Sequence, residues 1–148
     1  MVTVLLVRHA DVDVPPPIGN PDPSLNVKGV LRANELARVA EVAGVTAIFT
    51  SDLKRTKETA APLATRVGLP QPLPVVSDVD QFAADVGAGK FGTVVLVVGH
   101  TNTIPLIIDA LVSPPQSVAV QGFDNLYLVS LAIGASQMIR LRYGAPSD

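Results

Sequence analysis

The 148-residue sequence contains no cysteine. That excludes a disulfide framework, a thiolate metal site and a cysteine nucleophile. It also lacks an excess of charge of either sign. Eleven basic and thirteen acidic side chains leave a net charge of −2, so there is no electrostatic footprint for nucleic acid. Long hydrophobic runs are missing. The N-terminal apolar run is too short to span a membrane, and no basic residue precedes it as in a signal peptide. A cytoplasmic protein with no membrane partner is therefore expected. Internal repeats and low-complexity tails are absent. What remains is a chain 48% hydrophobic and 16% charged, the balance of a folded protein. Its length is enough to bury a core, and one domain over residues 1–148 is expected.

The sequence opens with Val2-Thr3-Val4-Leu5-Leu6-Val7, a β-branched apolar run that reads as a buried strand. It stops at Arg8-His9. Five prolines between Pro15 and Pro23 then rule out a helix or a central strand and predict a stiff surface loop. Asn26 is a suitable N-cap for an amphipathic helix over Val27–Val42. In that helix Lys28, Arg32, Glu35, Arg38 and Glu41 make the polar face. Val27, Val30, Leu31, Leu36, Val39 and Ala40 make the core-facing one. Val45 to Phe49 is a second strand, followed by a helix from about Leu53 to Val67. Pro62 should bend or break that helix.

Val75 and Val76 read as a short edge strand, and Asp78 to Val86 as a helix. Thr93 to Val98 is an unbroken apolar run of the parallel-sheet kind, ending in Gly99-His100 and followed by a helix from Thr103 to Val112. Two last strands, about Asn125–Leu131 and Gln137–Tyr143, form a hairpin around Gly134. The alternation predicts an α/β fold of three layers, α/β/α, with a mostly parallel sheet and helices on both faces. The C-terminal hairpin supplies an antiparallel edge strand.

Ligands of open α/β sheets bind beyond the carboxyl ends of the strands. Three strands here end in polar residues, and those ends hold Arg8, His9, Arg55 and His100, including both histidines of the chain. Two arginines and two histidines around one point suit a phosphoryl group. Guanidinium forks engage phosphate oxygens bidentately, and a neutral imidazole can act as nucleophile. Fixed positive charge there makes a metal unnecessary. Thr101 and Asn102 either contact the phosphate or cap the following helix. Asn20, in the proline-rich loop, is a further substrate-binding candidate.

The segments VLLVRHA, SLNVKGVLRANELA, IFTSDLKRTKETAAPLA and VLVVGHTNT, in that order, resemble the histidine phosphatase superfamily, the phosphoglycerate-mutase-like fold. The resemblance implies a phosphatase in which His9 is the nucleophile and forms a phosphohistidine, while Arg8, Arg55 and His100 hold the phosphate. No cofactor is implied. Inhibition by phosphate-like oxyanions is expected. Departures from the family pattern are Ala10 in place of glycine and Asn26 in place of threonine. Larger members carry a glutamate as proton donor between the Arg helix and the second histidine. This chain has no glutamate between Pro70 and His100, only Asp78, Asp80 and Asp85, of which Asp78 is the candidate acid. The short segment there resembles the small bacterial branch that includes phosphohistidine phosphatases. The expected substrate is a small phosphomonoester or a phosphohistidine protein. Alternatives are a phosphate-binding module with little turnover, a phosphomutase, and a metal hydrolase using His9, Asp11, Asp13 and His100.

Overall fold

Strand β1, Val2–Arg8, is buried on both faces and lies at the centre of a five-stranded sheet. In the computed structural model, which describes residues 1–147, the strand order is β2-β3-β1-β4-β5. Here β2 is Ala47–Phe49, β3 is Val94–Gly99, β4 is Asn125–Ala132 and β5 is Ala135–Arg142. Strands β2, β3 and β1 run parallel, with Ile48 beside Leu96 and Leu6 beside Val97. Strand β4 returns antiparallel along the other side of β1, and β5 pairs antiparallel with it as the edge.

Side-chain alternation along β1 and β3 divides the core into two. Val4, Leu6, Val95 and Val97 face helices α3 (Val79–Gly87) and α4 (Thr103–Leu111), where Phe82, Val86, Ile104 and Ile108 are buried. Leu5, Val7, Leu96 and Val98 face helices α1 (Val27–Ala40) and α2 (Lys54–Val67), where Leu36, Ala37, Leu63 and Ala64 are buried. Both sheet faces are thus covered, and parallel strands need that cover. The expected three-layer α/β/α architecture is present.

Several local expectations are corrected. Helix α1 buries Gly29, Arg32, Ala33, Leu36, Ala37 and Ala40, whereas Val27, Val30, Leu31 and Val39 are exposed. The buried face is therefore rotated from the one expected from large apolar residues. The cause is Arg32, whose Nε donates to Asp11 Oδ1 at 2.6 Å inside the protein. The same guanidinium donates to the carbonyls of Tyr143 and Ala145 at 3.0 and 2.9 Å. A charged side chain with a partner and backbone acceptors can sit inside, and small residues around it let α1 approach α2 closely.

Helix α2 runs unbroken through Pro62. Pro62 leaves the Glu58 carbonyl without its helical N–H, while the buried Thr59, Ala60, Leu63 and Ala64 anchor the helix. Val75 makes a single parallel bridge to Thr50 rather than a strand, because Pro70, Pro72 and Pro74 lack the N–H groups a ladder needs.

Among the described residues, no helix is long and apolar enough to cross a membrane.

Candidate active site

The parallel register of β1 and β3 sets Arg8 beside Gly99. The next residue on each strand is a histidine, so His9 and His100 emerge as neighbours. The His9 N–H donates to the Gly99 carbonyl at 2.9 Å, and the two ring centroids lie 5.3 Å apart. Strand β2 is in register with β3 on the other side. Its end leads through Thr50 and Ser51 into α2, whose first turn carries Arg55. Arg8, His9, Arg55, His100 and Thr101 line one cleft of about 350 Å3. Asn102 and Thr103 line it too, and among the described residues no Asp or Glu does.

His9 is buried, and its Nδ1 lies 2.8 Å from the Ala10 carbonyl oxygen. A carbonyl only accepts, so Nδ1 carries the hydrogen and Nε2 keeps its lone pair. Burial pushes the His9 pKa down to about 4, despite the Ala10 bond, and Arg8, His100 and Arg55 add to the effect. The imidazole is therefore neutral at pH 7. His100 is also held below its ordinary value, first by burial and then by Arg55 and Arg8.

Arg8 is fixed from two sides. Its Nη1 donates to the Gly122 carbonyl at 3.1 Å, and its guanidinium lies 4.1 Å from the centre of the Phe123 ring. The Phe123 ring also approaches the His9 ring, with centroids 5.8 Å apart. Arg8 Nε is buried without a hydrogen-bond partner. Burial lowers the Arg8 pKa, opposed by Asp11 and aided by Arg55.

The loop after His9 is held by both helices of one layer. The Ala10 N–H donates to Thr59 Oγ1 of α2 at 2.8 Å. The Asn26 N–H donates to the Asp11 carbonyl at 3.0 Å, and Asn26 Oδ1 caps α1 by accepting the Gly29 N–H at 2.9 Å. Gly29 has to be glycine because a Cβ there would overlap the Asp11 carbonyl oxygen. Helix α2 has no cap of its own, since its N-cap residue is Leu53. Asp22 of the proline-rich loop supplies one, its Oδ1 accepting the Lys54 N–H at 3.0 Å.

Three sequence-based candidates lie elsewhere. Asp78 does not line the cleft: it is the N-cap of α3, its Oδ1 accepting the Gln81 N–H at 3.0 Å. Asn20 is exposed in its loop, where its Oδ1 accepts the Asp22 N–H at 3.2 Å. Asp11, offered as a metal ligand, is engaged by Arg32. No group of three or more His, Asp or Glu side chains suited to a metal ion occurs among the described residues. Thr103 Oγ1 accepts the His100 N–H at 3.0 Å, whereas Asn102 makes no side-chain cap.

From the sequence Ser51 reads only as the polar end of the second strand, and neither it nor Phe123 is given a role in the site. Phe123 precedes β4, and only the antiparallel pairing of β4 with β1 brings it to Arg8.

The family model for the histidine phosphatase superfamily (branch 1) matches residues 4–78, the part that carries Arg8, His9 and Arg55. The chain belongs to the histidine phosphatase superfamily. Among solved structures, the fold is similar to that of the protein histidine phosphatase SixA complexed with tungstate. That match has a TM-score of 0.78 at 16% identity and covers 95% of this chain and 97% of that one. A mycobacterial glucosyl-3-phosphoglycerate phosphatase is similar with a TM-score of 0.67 at 16% identity, over 96% of this chain and 98% of that one. At such identities the likeness is one of fold. No curated protein matches the sequence.

Proposed function

We propose that the protein is a metal-independent phosphatase in which His9 Nε2 attacks phosphorus. The observation that carries this reading is the state of His9. Its Nδ1 hydrogen is engaged by Ala10, and its ring is held neutral beside two guanidinium groups. A nucleophile needs an available lone pair at working pH, and the phosphoryl oxygens need fixed positive charge. In the first step the Nε2 lone pair forms the N–P bond and the bond to the leaving group breaks, its electrons going with the leaving atom. In the second, water attacks phosphorus, phosphate departs, and the lone pair returns to His9. Arg8 and Arg55 hold the phosphoryl oxygens throughout, a task of positioning and electrostatics.

Among the described residues, the cleft lining carries no carboxyl group to protonate a leaving group. This supports substrates whose leaving group departs as a weak base: phosphohistidine in a protein, or an aryl phosphate. The fold likeness to a protein histidine phosphatase points the same way.

The test is hydrolysis of p-nitrophenyl phosphate by wild type and by His9→Ala. The expected result is turnover that disappears in a folded His9→Ala protein. The trapped wild-type enzyme should hold phosphate that is stable to alkali and labile to acid. A folded His9→Ala variant with wild-type turnover would sink the mechanism. Tungstate binding by wild type without any turnover, on aryl phosphate or phosphohistidine, would make the site a phosphate-binding module instead.

A further inference from the structure

Ser51 joins the cleft to a buried hydroxyl. Its Oγ lies 2.8 Å from His100 Nε2 and 2.9 Å from Thr56 Oγ1. Thr56 is fully buried, and its hydroxyl has four neighbours. They are the Ser51 N–H at 3.1 Å, the Ser51 hydroxyl, and the carbonyls of Leu53 and Ser51 at 2.9 and 3.1 Å. A hydroxyl has one proton and two lone pairs. Carbonyl oxygens only accept, and the nearer of the two, that of Leu53 at 2.9 Å, is an acceptor for the Thr56 proton. The Thr56 lone pairs then take the Ser51 N–H and the Ser51 Oγ–H.

With its own proton directed to Thr56, Ser51 Oγ can only accept from the other side. It accepts from His100 Nε2–H at 2.8 Å and from the Leu53 N–H at 3.4 Å. This arrangement, with His100 carrying hydrogen on Nε2, makes one more hydrogen bond within the network than the reverse one, in which Ser51 Oγ–H donates to His100 Nε2. Its other nitrogen, Nδ1, makes no hydrogen bond among the described residues.

We propose that Ser51 is a positioning residue that fixes His100 as the Nε2–H tautomer and leaves Nδ1 as the atom that takes up a proton when a phosphoryl oxyanion enters the cleft. A bare Nδ1 lone pair repels an oxyanion, and a protonated Nδ1 donates to it. The charged and titratable groups around His100 are Arg8 and His9 at the end of β1 and Arg55 of α2. In the empty cleft the two cations and burial keep His100 neutral near pH 7. An oxyanion offsets those cations and stabilises the imidazolium. Binding then takes one proton from solvent, and affinity for an oxyanion that does not itself titrate rises as pH falls.

This inference rests on the phosphoryl-transfer reading, and the chain offers a way to test the two apart. It has only two histidines, so 15N-histidine NMR shows two ring systems, assigned with His9→Ala. In wild type near pH 7.5 His100 should be the neutral Nε2–H tautomer. Addition of tungstate should protonate both of its nitrogens. Ser51→Ala should lose the tautomer preference and bind tungstate about tenfold more weakly, the scale of one charge-assisted hydrogen bond. Ser51→Thr, which keeps the hydroxyl, should restore both. An Nδ1–H tautomer in the free protein overturns the proposal. So does unchanged His100 resonance in Ser51→Ala. Bound tungstate beside a neutral His100 overturns it alone and leaves the phosphatase reading standing. Failure of wild type to bind tungstate removes both.

Discussion

Single residues in this protein are set by what they lose to water. Buried His9 is neutral because a charged imidazole cannot be solvated there, and its pKa lies near 4 against an ordinary 6.5. The sign of the stability effect follows. Between pH 6.5 and about 4 the unfolded chain binds a proton at this histidine that the folded chain refuses. Stability from this group is complete above pH 6.5 and falls as the pH drops through that window. Chemical denaturation at pH 7 and pH 5 should show an acid loss in wild type that is smaller in His9→Ala. NMR titration should find His9 changing protonation near pH 4; a midpoint above 6 would contradict the burial argument. Phe123 is the second residue to test. Its ring lies 4.1 Å from the Arg8 guanidinium, and such a contact is worth about 0.5–2 kcal/mol. Phe123→Leu should therefore raise KM for aryl phosphate by roughly 2- to 30-fold with little change in melting temperature.

At the scale of elements, the site depends on how α1 and α2 begin. Helix α1 seats on the backbone of Asp11, two residues past His9, through Asn26 and Gly29. A methyl group at Gly29 would push the helix off that loop, and overpacking of this kind costs about 1–3 kcal/mol. Gly29→Ala should lower the denaturation midpoint and reduce kcat together, since the loop it displaces follows directly on His9. Helix α3 begins at Asp78, and there the carboxylate has a structural use. Asp78→Asn keeps a good cap and should leave turnover unchanged on aryl and alkyl phosphates alike. Asp78→Ala should cost about 0.5–2 kcal/mol of stability. A selective loss on alkyl phosphates in Asp78→Asn would return the acid role to this residue.

For the molecule as a whole, the decisive feature is a cleft lined by two arginines and, among the described residues, by no acid. Arg8 and Arg55 already provide the charge that a divalent ion would give. EDTA should leave activity intact, and vanadate or tungstate should inhibit competitively. Loss of activity in EDTA, restored by a divalent ion, would favour the metal hydrolase. General-acid help is worth ~10²–10⁴-fold in rate. Its absence should appear as a preference of that order for phosphohistidine and aryl phosphate over sugar phosphates, read as a ratio of kcat/KM.

The order of strands and helices, the strand ends and the Arg8-His9, Arg55 and His100 set were legible in the sequence, because runs of buried residues and their polar stops are local signals. Both sheet faces had to be covered by helices, and the sequence alternation already required it. Two things were decided only in three dimensions. One was which face of α1 turns inward. The hydrophobic pattern chose Val27, Val30 and Leu31, but pairing with Asp11 and two distant carbonyls took Arg32 inside instead. The other was the company each site residue keeps. Asp78 is a cap, Asp22 caps a helix 32 residues away, and Ser51 and Phe123 meet the histidine pair across long stretches of chain. Hydrophobic periodicity records whether a residue is buried. The partners of a buried polar group come from remote segments, and pairing between remote segments is fixed by sheet register and helix packing.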